Sequence, residues 1–316
     1  MAAEFQLLKE LRAGDRVQQA VLLHLQKFGT AVTGKKYARG TLQDNSGVMN
    51  FICFNDSTAE AIRDLPNPSV ILVYGQVGHD KYAADGSLQT MIDRIQEPGN
   101  DVDLSHLIPY TPRDISLYQR YLQECIERIE NKELRQLVTT VLTGEVYERF
   151  VKNPAASKYH HAYIGGLLEH SVDVARLAMA IAGEVEGIDR NLVMAGALLH
   201  DLGKIYEISS DIGFTYTETG NLLGHVALGA FVIDRVVRGI PNFSETLAVD
   251  LLHIILSHHG STDKGSPVTC ATQESFIVHY ADELNAVLNQ FKSQEDPSKY
   301  EWQYNRMLGR QIRSGR

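Results

Sequence analysis

The hydrophobic period of this chain changes once, at Pro98-Gly99-Asn100, and a chain that changes period cannot fold as one uniform architecture. Before that point apolar residues alternate, as on half-buried strands. After it they recur at three- and four-residue intervals, as on amphipathic helices. Residues 15–97 read as β-rich, with Val17–His24 as the first strand. Lys36–Gln43 alternates Tyr37, Arg39, Thr41 and Gln43 against Ala38, Gly40 and Leu42. Asp44-Asn45-Ser46-Gly47 supplies turn chemistry before Val48–Phe54. Asp56–Leu65 reads as a short helix, opened by an Asp or Ser cap and stopped before Pro66. Ser69–Val77 and Leu88–Ile95 complete the set, with Asp85-Gly86 as the turn between them.

Three strands, a helix and two strands is the element order of an OB-fold barrel. Another small barrel or a sandwich is the alternative. The fold expected is therefore multi-domain α and β: an OB-fold-like domain over 1–98, a linker over 99–113 holding Pro109 and Pro112, and an all-α bundle over 114–316. Tyr118, Tyr121, Leu122, Cys125, Ile126 and Ile129 open that bundle on one helical face, and Leu134 to Leu142 repeat the rhythm up to Thr143-Gly144. Further helices are expected over 161–182, 190–200, 222–238, 245–258 and 272–291. The tail from Lys299 to Arg316 carries five basic residues against one acidic, interleaved with Tyr300, Trp302 and Tyr304. A terminal helix docking those aromatics into the core is the favoured reading, with contact to nucleic acid as the other.

Composition narrows the setting. No apolar run approaches the ~20 residues that cross a bilayer, so no membrane partner is expected. The N-terminal stretch has acidic residues and no secretory h-region. Three separated cysteines, Cys53, Cys125 and Cys270, fit reduced thiols in a cytoplasm better than a disulfide framework. Net charge is −9, so any polyanion must be gripped by local basic groups and metal against the overall field.

The second domain holds the chemistry. His170 lies in GLLEHSVDVARLA, and His200-Asp201 ends the apolar segment ALLHDLGK, which Gly203 is read as terminating. His225 sits in LLGHVALGA, His258-His259 in ILSHHG, and Asp282 in VHYADEL. A lone helical histidine is more often core or surface than ligand. The set differs, because imidazole and carboxylate suit Mn, Fe, Co, Ni or Zn. A buried, unpaired Asp201 would cost several kcal/mol, at the order of ~2–7 for a polar group, and a cation is its natural partner.

These residues resemble a known superfamily. His170, His200-Asp201 and Asp282 match the H…HD…D signature of HD-domain phosphohydrolases, and Lys204 follows the dyad as in many members. His225 and His258-His259 match the extra ligands of its dinuclear branch, seen in HD-GYP phosphodiesterases. The GYP extension is missing, since SHHG runs into Ser261-Thr262-Asp263. The whole chain, from about 15 to 305, is similar to the YhaM-type 3′→5′ exoribonucleases, most strongly over Pro154–Ser171. That resemblance implies a Mn²⁺- or Co²⁺-dependent RNase that also shortens single-stranded DNA. On this reading His170, His200, Asp201 and Asp282 hold one ion, and His225, His258 and His259 hold the other, with Asp201 bridging. Two ions about 3.5–4 Å apart activate a water and clamp a phosphate oxygen, so that a metal-activated hydroxide releases 5′-nucleotides.

Lys204 would neutralise charge growing on the phosphate, or is an ordinary helix-dipole lysine. By matching the family's HHAY motif, His160 and His161, with Lys158 beside them, are candidates for gripping phosphate; packing at a helix start is an equal alternative. His279, three residues before Asp282, either supports it or belongs to the core. His24, His79, His106 and His253 read as structural. On the barrel, Lys35, Lys36, Tyr37 and Arg39, with Phe51, Phe54 or Tyr82, are the pieces available for stacking bases over a basic groove, or form a solvated strand edge. Two other functions compete: an HD-type nucleotidase, dNTPase or cyclic-nucleotide phosphodiesterase, and a non-catalytic single-strand-binding protein with a structural metal site. Self-association is left open.

Overall fold

A computed structural model of the chain describes residues 5–80, 87–98, 106–107, 110–111, 113–156, 163–209, 214–293, 301–305 and 308–314. They divide into two compact units, one running up to Tyr110 and one from Thr111 onward.

In the first unit β1 (Arg16–Thr30), β2 (Lys36–Asp44), β3 (Gly47–Cys53), β4 (Ser69–His79) and β5 (Leu88–Gln96) close into a barrel in the order β1-β2-β3-β5-β4. β1 runs antiparallel to both β2 and β4, and β3 pairs with β5 in parallel. Helix α1 (Asp56–Asp64) lies between β3 and β4 in sequence, its first turn capped by the Asn55 side chain, which accepts from the Thr58 amide. This is OB-fold topology. The alternation of β2 places Ala38, Gly40, Leu42 and Asp44 inside and Tyr37, Arg39, Thr41 and Gln43 outward. β1 runs to Thr30, six residues past the stretch expected from periodicity, because a bulge between Leu25 and Lys27 lets the strand bend and keep pairing with β2. Phe51 is 2% exposed among the barrel core, which corrects its candidacy for base stacking; Phe54 is exposed, and Tyr82 lies outside the described residues.

The second unit is helical: α2 (Ile115–Glu127), α3 (Lys132–Val141), α4 (Gly144–Lys152), α5 (Gly166–Gly183), α6 (Arg190–Leu199), α7 (Lys204–Glu207), α8 (Glu218–Gly239), α9 (Glu245–Ser257) and α10 (Gln273–Ser293). Asp114, Asn131, Asp189, Thr217 and Ser244 cap α2, α3, α6, α8 and α9 through side-chain oxygens. α6 is buried from Leu192 to Leu199, and α5 packs on both α6 and α10 at the centre of the unit. Helix α8 is by length and composition apolar enough to cross a bilayer, but Gly224 breaks it with φ 70° and ψ 155°.

The tail departs from expectation. Instead of a docked helix, β6 (Glu301–Asn305) and β7 (Arg310–Ser314) form an antiparallel hairpin. Trp302 is 70% exposed and Tyr304 61%. A strand's two-residue period explains this: Trp302 and Tyr304 share one face, while Ile312 and Asn305 on the other are buried.

Candidate metal centre

Five helices bring seven side chains to one place. α5 contributes His170, the turn after α6 contributes His200 and Asp201, and α8 contributes His225 just past its kink. The turn after α9 contributes His258 and His259, and α10 contributes Asp282. His170, His200 and Asp201 form one group able to hold a cation, and His225, His258 and His259 form another, each with its ligand atoms within 4.8 Å of one another.

Asp201 faces both groups. Its Oδ2 lies 3.2 Å from His170 Nε2 and 3.3 Å from His200 Nε2, and Asp282 Oδ1 lies 3.2 Å from the same His170 nitrogen. Its Oδ1 lies 3.5 Å from His225 Nε2 and 3.6 Å from His258 Nε2. His225 Nε2 and His259 Nε2 approach to 3.3 Å. Four of these groups, His170, His200, Asp201 and His258, are essentially sealed from solvent.

The donor set fits divalent cations. Asp201 Oδ1, His258 Nε2 and His259 Nδ1 are buried and have no hydrogen-bond partner among the described residues. Orphaned atoms of this kind are costly in a folded interior unless something else satisfies them. Imidazole and carboxylate lone pairs converging on one carboxylate are the donors that divalent metal ions take.

The opposite nitrogens of the rings are held by the protein. His200 Nδ1 meets the carbonyl of Ala197 at 2.8 Å, and His258 Nδ1 meets that of Ile255 at 2.7 Å. Each therefore donates from Nδ1 and leaves Nε2 as the lone pair. His170 Nδ1 sits 3.0 Å from Asn285 Oδ1, and His225 Nδ1 sits 3.0 Å from Glu207. Neither Asn285 nor Glu207 stands out in the sequence. Asn285 could have been found, since it follows Asp282 by three residues on one face of α10. His279 Nδ1 donates to the carbonyl of His258 at 2.7 Å, so it braces the turn that carries two of the imidazoles.

Gly203 does not end a helix by a left-handed turn. α6 stops at Leu199, and Gly203 itself has φ −61° and ψ −18°. Its constraint is space: a Cβ there would stand 1.9 Å from the His225 carbonyl oxygen and 2.6 Å from the Gly229 nitrogen. The missing side chain lets the His200-Asp201 turn lie directly on α8.

Charge follows from this crowding. Burial alone would raise the Asp201 pKa, but Lys204, His200 and the bond from His170 hold it well below the usual carboxylate range. Burial works against a charged His170, yet Asp201 and Asp282 raise its pKa to about 9. Burial, with His258 and His225 beside it, pushes His259 down to about 3. Lys204 Nζ lies 2.6 Å from Asp201 Oδ2, in the first position of α7 rather than at a helix C-terminus. That ion pair puts a cation at the shared carboxylate.

Of the other sites read from sequence, Lys158, His160 and His161 lie outside the described residues. Lys36, Tyr37 and Arg39 lie on β2 of the first unit. Lys36 is paired with Glu60 of α1, the Tyr37 ring lies over Gly29, and Arg39 is exposed. His253 accepts from the Ala271 amide at 3.0 Å, a structural role.

The HD domain family matches residues 167–287, a span that includes all seven converging side chains, and the HDOD domain family matches 121–210. The 3′-5′ exoribonuclease YhaM of Bacillus subtilis strain 168 is 31% identical over 276 residues, covering 87% of this chain and 86% of that protein. YhaM of Bacillus velezensis is 31% identical over 277 residues, covering 86% and 85%. That span is long enough to take in both barrel and helical unit, and the chain belongs to the YhaM family of HD-domain 3′-5′ exoribonucleases.

Proposed function

We propose that this protein is a metal-dependent 3′-5′ exoribonuclease that shortens single-stranded RNA, and single-stranded DNA as well, to 5′-nucleotides. The observation that carries this reading is the double-facing carboxylate of Asp201, one oxygen toward His170 and His200 and the other toward His225 and His258. His170, His200, Asp201 and Asp282 would hold one ion and His225, His258 and His259 the second, with manganese or cobalt as the favoured metal. Ions in such a centre supply Lewis acidity and lower the pKa of water from 15.7 towards ~7.

The residues of the chain prepare that chemistry. Asn285 and Glu207 fix ring orientation, so the imidazoles need no rearrangement to ligate. His259, with its pKa near 3, offers a lone pair free of protons at any working pH. Lys204 is almost fully enclosed and its pKa is raised by Asp201 against the effect of burial, so it stays a cation beside the scissile phosphate. Lys158, His160 and His161 would grip substrate phosphate, and the outward row of β2, with Lys36, Tyr37 and Arg39, would guide the strand. A reducing cytoplasm suits the three cysteines, which are free and buried.

The test uses 5′-labelled single-stranded RNA with Mn²⁺, with EDTA, and with Asp201→Ala. A ladder shortening from the 3′ end in the first lane alone is expected. Hydrolysis of free nucleotides with intact RNA would instead mark a nucleotidase, and binding without turnover a non-catalytic strand-binding protein.

A further inference from the structure

The C-terminal hairpin leaves its outer face unexplained. In the β6–β7 register Trp302 pairs with Arg313 and Tyr304 with Gln311, so these four residues share one face of the ribbon. All four are exposed, Trp302 by 70% and Tyr304 by 61%, while Ile312 and Asn305 of the other face are buried. The hairpin is thus anchored by one side and presents two aromatic rings on the other. Two residues along a strand place those rings roughly 7 Å apart, each able to take one base.

Charge selects the occupant. The chain carries 39 acidic residues against 30 basic, yet its last eighteen residues hold five basic and one acidic. A basic stretch of sequence interleaved with aromatics is the composition that recognises stacked bases on a phosphate backbone, since rings take the bases and guanidinium groups take the phosphates. Aromatics presented on a sheet are also a common way of stacking single-stranded RNA bases.

We propose that the outer face of the β6–β7 hairpin is a binding site for single-stranded nucleic acid, with Trp302 and Tyr304 stacking successive bases. The site is a second grip on the strand, built from residues other than the converging histidines and aspartates and other than those of β2. It rests on the reading of the protein as a single-strand exonuclease, and it adds a location that this reading does not require.

Trp302 is the only tryptophan in the chain, so its fluorescence reports on this face alone. The full-length protein in EDTA, where no strand is consumed, is titrated with an unlabelled oligouridylate of about 16 nucleotides. Trp302 emission should be quenched on binding, and added salt should reverse the quenching. By anisotropy of the labelled strand, Trp302→Ala/Tyr304→Ala should weaken binding about tenfold or more, whereas Trp302→Phe should keep most of it. Unchanged far-ultraviolet circular dichroism and melting temperature confirm that these exposed substitutions leave the fold intact. Strand binding with silent Trp302 emission and an unaffected double variant would overturn the proposal. So would a change in sedimentation on Trp302→Ala/Tyr304→Ala without change in strand affinity, which would mark the face as a contact between copies. Failure of the enzymatic reading is read separately: wild-type protein with Mn²⁺ would leave RNA intact whatever the emission does.

Discussion

A single carboxylate oxygen, Glu207 Oε1, accepts from both the backbone amide of His225 at 2.9 Å and its Nδ1 at 3.0 Å. Gly224 makes this possible, because its positive φ turns the chain of α8 so that amide and ring of His225 face Glu207 together. The His225 tautomer and orientation are thereby set from outside the centre. Glu207→Ala should lower metal affinity by about 10–100-fold, with much of the turnover recovered at saturating Mn²⁺. Mn²⁺ titration of RNA hydrolysis reads both quantities, and an unchanged half-saturation point would contradict the role given to Glu207.

Gly203 tests the close seating of the dyad turn. Gly203→Ala forces a methyl group into the backbone of α8, where no flexible side chain can yield. Unfolding in urea should show a loss of about 3 kcal/mol or more. Gly183→Ala, at the end of α5 with nothing among the described residues within 4 Å of the new Cβ, should be neutral or slightly stabilising.

His170 predicts how metal uptake depends on pH. With its pKa raised from 6.5 to about 9 in the metal-free fold, it carries a proton at neutral pH and must release it to ligate. Affinity should therefore rise with pH, by up to about tenfold per unit, and level off near pH 9. The same shift stabilises the metal-free fold fully below pH 6.5, and that contribution is lost as pH rises through 9. Calorimetry in buffers of different ionisation enthalpy counts the released proton; flat affinity from pH 6.5 to 9 would contradict the assignment.

On the barrel, Arg39 and Lys36 should differ. Arg39 is exposed, whereas Lys36 is already engaged by Glu60. Arg39→Ala should reduce the slope of log affinity against log salt by about 0.7, as expected for one lost contact to a single strand. Lys36→Ala should change it less. A slope left at the wild-type value by Arg39→Ala would remove β2 from the binding face.

Much of this was legible in the sequence because the signals are local. The two-residue period of β2 and β5 and the turn at Asp44–Gly47 mark the barrel, and His200-Asp201 and His258-His259 announce themselves as paired polar groups at the ends of apolar runs. What escaped depends on contacts between distant segments. Glu207 and Asn285 look like ordinary helical polar residues until His225 and His170 arrive beside them. Phe51 and Phe54 are alike by composition, and only strand register sends one inward. Helix α4 spans only nine residues, so Val146, Tyr147, Phe150 and Val151 are too short a run to declare a helical period by themselves. In the tail an aromatic stripe suggests burial, whereas the two-residue period there puts Trp302 and Tyr304 on the outer face.

The central claim is that one carboxylate, Asp201, is shared by two cations. Anomalous diffraction from crystals soaked in Mn²⁺ tests it most directly. Two peaks per chain are expected, one on the His170–His200–Asp282 side of Asp201 and one on the His225–His258–His259 side, both absent in Asp201→Ala. A single peak remote from Asp201, or two peaks that persist without its carboxylate, would contradict it.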